Sequence, residues 1–172
     1  MKNPKEILAQ MTLEDKAALC DGADFWHLKG MEKYGIPSIM VCDGPHGLRK
    51  KDYNKTGSSL SCSVPSICFP TAVTTACSWD PDLLHEMGVA LGKKCLKEEV
   101  GVLLGPGVNM KRSPLCGRNF EYFSEDPVIS GKMASAIISG CASQGLVTTI
   151  KHFVLNDQES NRAGIYTWAD EQ

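Results

Sequence analysis

Residues 78–107 read SWDPDLLHEMGVALGKKCLKEEVGVLLGPG. Asp80 before Pro81 is a helix start. The short carboxylate can accept the first free backbone N–H groups, and a proline at the first helical position gives up no bond that would have been made. The helix is expected to run to about Lys97. Val100–Leu104 is then a short apolar run that reads as a buried strand, and Gly105-Pro106-Gly107 stops it. A helix feeding a buried strand that ends in a turn is half of a β–α–β repeat.

Outward from that stretch the alternation continues. Ser38–Cys42 reads as a buried strand that stops at the turn-rich Asp43-Gly44-Pro45-His46-Gly47. Phe69–Cys77 is a second candidate strand, rich in Thr and Ala, and residues 50–66 read as an exposed loop. After the polar segment Val108–Asp126, Pro127 opens a helix with Asp126 as its cap and Val128, Met133, Ile137 and Cys141 on one apolar face. Gly145 closes it, and Leu146–Ile150 is a fourth strand running into Lys151-His152-Phe153. Residues 4–20 read as an amphipathic helix in two pieces, with Thr12 capping the second and Leu13, Ala17 and Leu19 supplying its apolar face. Strands without polar alternation, separated by helices, predict an α/β fold with a mostly parallel sheet covered on both faces.

The composition agrees with a single soluble domain. The chain has 172 residues, 42% hydrophobic and 22% charged, with a formal net charge of -2. That charge gives no electrostatic reason to expect nucleic acid or an anionic membrane as partner. No stretch approaches the roughly 20 apolar residues of a membrane span. The N-terminal MKNPKEILAQMTLEDK carries charge throughout and is unlike a secretory signal, so a cytoplasmic location is expected. Eight cysteines, at 20, 42, 62, 68, 77, 95, 116 and 141, include no C-x-x-C pair, which argues against a zinc site. They read as reduced thiols, with Cys42, Cys77 and Cys141 placed in apolar runs as small hydrophobes.

In parallel α/β sheets, binding groups collect past the C-terminal strand ends. The first strand here ends in Asp43, the third leads through a Gly-Pro-Gly loop to Arg112 and Arg118, and the fourth ends in Lys151-His152. A carboxylate, guanidinium groups, an ammonium and an imidazole on one rim suit a sugar, whose hydroxyls both donate and accept. A phosphate-binding reading of Gly105-Pro106-Gly107 fails. There is no G-x-x-x-x-G-K-[ST], and Met110 stands where a G-x-G-x-x-G loop needs its third glycine.

Three segments carry a resemblance. Phe25-Trp26-His27, with Gly35-Ile36-Pro37 and Asp43-Gly44-Pro45-His46-Gly47-Leu48-Arg49, is similar to the opening of the glycoside hydrolase family 3 catalytic domain. LGPGVNMKRSPLCGRNFEYFSEDP, Leu104–Pro127, resembles that family's most recognisable stretch, and KHFVLNDQESNR, Lys151–Arg162, resembles its Lys-His-Phe motif. The resemblance implies a (β/α) TIM-barrel-like domain, of which residues 1–172 would be roughly the first half. It also implies retaining hydrolysis of β-glucosides without a cofactor. Asp43, Arg118, Lys151 and His152 resemble the family's sugar-binding residues. Arg49, Arg112 and Arg162 match motif arginines that either touch sugar or brace loops. Glu121 and Glu125 are expected to brace the loop by pairing with arginines, and Asp126 to cap a helix.

Retaining hydrolysis needs two carboxyl groups about 5–5.5 Å apart. The resemblance puts the nucleophilic aspartate after a later strand, in a Ser-Asp-Trp-like context that this sequence lacks, and the acid/base further on. The chain is therefore expected to hold one side of the sugar pocket and no catalytic pair. A β-glucoside or oligosaccharide is the expected ligand. A partner-completed sugar-binding half-barrel, with a second polypeptide supplying the remainder, and a fragment without a function of its own both stay open.

Overall fold

The computed structural model describes residues 3–57, 61–153 and 155–171. Residues 58–60 of the expected 50–66 loop, Val154 within the Lys151–Arg162 motif, and the terminal Met1, Lys2 and Gln172 lie outside the described residues.

Two short helices open the chain, α1 (Pro4–Gln10) and α2 (Leu13–Leu19). Thr12 caps α2 as expected, and Asp15 returns a bond to the Thr12 N–H, which closes a capping box. The expected apolar face is a different matter. Neither helix buries a residue, and Leu13 is 77% exposed. Polar bonds hold α2 instead: Asp15 accepts from the Tyr34 hydroxyl at 2.6 Å and pairs with Lys33 at 2.7 Å.

The sheet has four strands in the order β1 (His27–Leu28), β2 (Ile39–Asp43), β3 (Val102–Leu104) and β4 (Val147–Thr148). β2, β3 and β4 are parallel neighbours, in the register Cys42–Leu103–Thr148. β1 is antiparallel to β2, pairing His27 with Met40 and Leu28 with Ile39. The protein is thus mixed α/β with a mostly parallel sheet. Three of the expected strands are present, and β1 was not foreseen.

Phe69–Cys77 is not a strand. It contains α3 (Ala72–Ala76), which buries Ala72, Thr75 and Ala76. That spacing is helical, and threonine's β preference yields to it once one face finds the core. His46 contributes by accepting the Ala72 N–H through Nε2 at 3.0 Å.

The long helices α4 (Pro81–Lys97) and α5 (Pro127–Ser143) start as predicted. Asp80 accepts the N–H groups of Asp82 and Leu83, and Asp126 those of Val128 and Ile129. α4 buries Leu84, Met87, Leu91 and Cys95; α5 buries Met133, Ala134, Ile137 and Cys141. These join Met40, Cys42 and Leu103 of the sheet in one core. Val128, expected on that face, is 62% exposed in the first turn of the helix. Cys77 is exposed as well, since α3 turns it outward, whereas Cys42 and Cys141 are buried. Along β2 and β3 burial alternates: Met40, Cys42 and Leu103 are enclosed, while Val41, Val102 and Leu104 are only half buried. The expectation of a sheet covered on both faces therefore fails among the described residues. Among them, too, no helix is long and apolar enough to cross a membrane.

Glycine lets α4 and α5 approach. A Cβ on Gly140 would lie 2.2 Å from the His85 carbonyl oxygen, and one on Gly88 would lie 2.3 Å from that of Ile137. Gly131, on the same helix as Gly140, faces open space. Gly140→Ala is expected to destabilise by about 2 kcal/mol through overpacking. Gly131→Ala should stabilise by up to about 1 kcal/mol through helix propensity. Denaturant unfolding of both variants checks the pair; equal effects would count against this packing.

Candidate functional site

A cavity of about 740 Å³ opens past the C-terminal ends of the parallel strands, lined by Asp43, Arg118, Glu121, Lys151 and His152 among others. Asp43 is the last residue of β2. Lys151 follows β4 and is bridged through its backbone to Gly107, just after β3. Gly107 is also bridged to Tyr122, and a Cβ there would lie 2.6 Å from the Glu121 carbonyl oxygen. A side chain at Gly107 would thus push the 119–122 turn away from the strand ends. The Lys151–His152 peptide is cis.

The charges alternate. Lys151 Nζ donates to Asp43 Oδ1 at 2.9 Å and lies 3.4 Å from Glu121 Oε2. Arg49 pairs with the other oxygen of Asp43, and Arg118 Nε with the other oxygen of Glu121. Arg118 Nη1 is 3.7 Å from Glu159, which is in turn 3.8 Å from Arg162. The series runs Arg49, Asp43, Lys151, Glu121, Arg118, Glu159, Arg162, with each carboxylate held between two cations.

These contacts set the protonation states. Burial raises the Asp43 carboxyl, but the Lys151 ammonium and the Arg49 guanidinium outweigh it and hold the group below its ordinary 3.8. Burial likewise opposes ionisation of Glu121, and Arg118 with Lys151 brings it below its ordinary 4.5. His152 is lowered by burial and by the neighbouring Arg118, so it is neutral at pH 7.

The structure gathers Asp43, Arg118, Lys151 and His152, with Arg49 and Arg162, around one cavity. Arg112 is not among them. It points to Asp157, 3.5 Å away, and braces the segment that follows Lys151. Glu121 does brace by pairing with an arginine, as expected, yet it also faces the cavity and meets Lys151. Glu125 lies at a separate cleft, and Asp126 caps α5. Sequence reading gave no role to Tyr122, Asn156 and Glu159, which lie behind His152; their only signal was their place inside the recognised motifs. It also passed over the cavity's aromatic wall. Phe25 meets Trp26 edge-on, with ring centroids 5.0 Å apart, and Phe120 also lines the cavity. The Trp26 indole N–H is buried without a partner among the described residues. Among those residues no group of three or more His, Cys, Asp or Glu is placed to hold a metal ion.

A mostly parallel α/β sheet with a polar cavity at its C-terminal strand ends is the arrangement of α/β domains that carry their sites on strand-end loops. Residues 13–168 match the glycosyl hydrolase family 3 N-terminal domain, and the chain belongs to that family. It is 55% identical over 168 residues to thermostable beta-glucosidase B of Acetivibrio thermocellus, covering 98% of this chain and 22% of that protein. It is 52% identical over 153 residues to an exo-alpha-(1->6)-L-arabinopyranosidase of Bifidobacterium longum, covering 88% of this chain and 20% of that protein. Among solved structures, beta-glucosidase 3B from Thermotoga neapolitana in complex with alpha-D-glucose superposes with a TM-score of 0.82 at 39% identity, over 91% of this chain and 24% of that one. The chain thus spans about a fifth of the length of the curated relatives it matches.

The lowered carboxyls make an acid-sensitive fold. Each contributes fully above its ordinary value, and that contribution is lost as pH falls through its folded value. Glu121→Gln is expected to cost about 3 kcal/mol at pH 7, because it leaves Arg118 and Lys151 short of a buried counter-charge. The cost should shrink as pH falls below the ordinary 4.5 and through the lower folded value, where the native chain loses the same charge. Urea unfolding at pH 7 and in that acid range measures the difference; a cost independent of pH would refute the assignment.

Proposed function

We propose that the cavity binds a terminal β-glucosyl unit and that the chain is the first part of a retaining β-glucosidase barrel. The observation that carries this reading is the alternating series of carboxylates and cations on one cavity wall. Asp43 can accept from sugar hydroxyls, while Lys151, Arg118 and His152 donate to them, so that each hydroxyl meets a complementary partner. The exposed aromatic wall of Phe25 and Phe120 suits the apolar face of a pyranose. The two names among the relatives, a glucosidase and an arabinopyranosidase, leave the sugar itself within the proposal. A cytoplasmic location goes with the reading, since all eight cysteines are free.

In the proposed division of labour this segment binds and does not cut. Asp43 and Glu121 are the cavity's carboxylates, and both are engaged by cations and held ionised. A general acid needs a raised carboxyl instead, and a retaining pair needs a second, free carboxylate facing it. The remaining strands, nucleophile and acid/base would come from the rest of a full-length protein. β4 offers the joining edge: it is the terminal strand of the sheet, and Val147 is 58% exposed. The same edge favours a second reading, a half-barrel completed by a separate polypeptide, in which activity appears only on mixing.

Titration of the 172-residue chain with methyl β-glucoside, followed by NMR, tests the reading. Saturable shifts confined to the cavity are expected, weakened at least about tenfold by Asp43→Asn, which removes a charged hydrogen-bond acceptor. Turnover of an aryl β-glucoside by the same purified chain should be absent; hydrolysis at an enzyme-like rate would overturn the division of labour.

A further inference from the structure

The His152 ring is held from behind. Its Nδ1 lies 2.7 Å from the Tyr122 hydroxyl, and the two rings meet edge-on at 86°. Asn156 Nδ2 is 2.8 Å from the same hydroxyl and 2.9 Å from Glu159 Oε1. An ionised carboxylate oxygen only accepts, so the Asn156 atom facing Glu159 has to be the amide nitrogen. That nitrogen has two hydrogens, one for each neighbour. The Tyr122 oxygen therefore accepts from Asn156 and directs its own hydrogen to His152 Nδ1. A neutral imidazole that accepts at Nδ1 carries its hydrogen on Nε2.

We infer that Glu159, Asn156 and Tyr122 form a hydrogen-bond relay that fixes His152 as the Nε2–H tautomer, so that it can only donate to a ligand in the cavity. The three are positioning residues: they act through the imidazole that lines the cavity. Nothing among the described residues takes up Nε2, which leaves that donor for a ligand. Tyr122 is fully buried, and burial pushes its phenol up, so it keeps the hydrogen the relay needs. Around the ring, Arg118, Lys151 and Arg162 oppose a second proton and Glu121 favours one; with burial the balance keeps the imidazole neutral.

A specificity follows, and it rests on the sugar reading above. The group facing His152 must offer an acceptor, which a hydroxyl oxygen does. An ammonium has three donors and no acceptor. An amino sugar with its ammonium at that position would leave both donors unpaired and be refused.

The test uses the chain with ¹⁵N-labelled histidine at pH 7.5 and a long-range ¹H–¹⁵N spectrum. Of the four histidines, His152 is assigned by the signals lost in His152→Gln. The Nε2–H pattern is expected in the unmodified chain. Tyr122→Phe should release the tautomer to a mixture. The isosteric double variant Asn156→Asp with Glu159→Gln should reverse it, because a carboxylate at 156 takes the phenol hydrogen and Tyr122 then accepts from Nδ1–H. An Nδ1–H ring in the unmodified chain, or an unchanged spectrum in both variants, overturns the relay. If the Nε2–H pattern appears but methyl β-glucoside shifts no cavity signal, the sugar reading falls and the relay stands.

Discussion

The Lys151 ammonium, set between Asp43 and Glu121, is the contact on which the rest of the site depends. It joins the end of β2 to a residue 108 positions later and to the turn packed over Gly107. An ammonium withdrawn from water needs counter-charges, and carboxylates withdrawn with it need cations in turn. The outward extension of the series, to Arg49 on one side and to Arg118, Glu159 and Arg162 on the other, is what that requirement produces. A ligand entering the cavity meets charges already oriented by one another, and their reorganisation cost was met on folding.

Residues carrying local rules were legible. Asp80, Asp126 and Thr12 cap where their sequence contexts place them, because a cap is decided within a turn of backbone. The strand ending in Asp43 and the one leading towards Lys151 could be found from apolar runs broken by polar residues. What needed tertiary knowledge was lost. The two-residue β1 has no periodicity to read, and the five residues of α3 are too few to show a helical spacing within a weak strand pattern rich in Thr and Ala. Leu13 has the composition of a buried face, but nothing in the sequence says whether a surface exists to receive it.

The site divides the same way. Asp43, Arg118, Lys151 and His152 could be named from strand ends and motif resemblance, and the fold brings them to one cavity. Arg112 shares Arg118's motif yet turns to Asp157, since side-chain direction in a loop is set by neighbours distant in sequence. Tyr122 and Asn156 escaped notice because their role lies in the hydrogens they exchange with one another and with the imidazole, and only their mutual distances reveal that.

Six of the eight thiols fall into two populations. Burial pushes Cys42 and Cys141 up to about 11 and Cys95 up to about 12, and all three lie in the layer between the sheet and the α4–α5 pair. They remain protonated, and so unreactive, as long as that layer is closed. Cys20, Cys68 and Cys77 lie on the surface. The rate at which an alkylating reagent consumes the slow class therefore reports how often the core opens. The chain carries its own clock for local unfolding, with no label added.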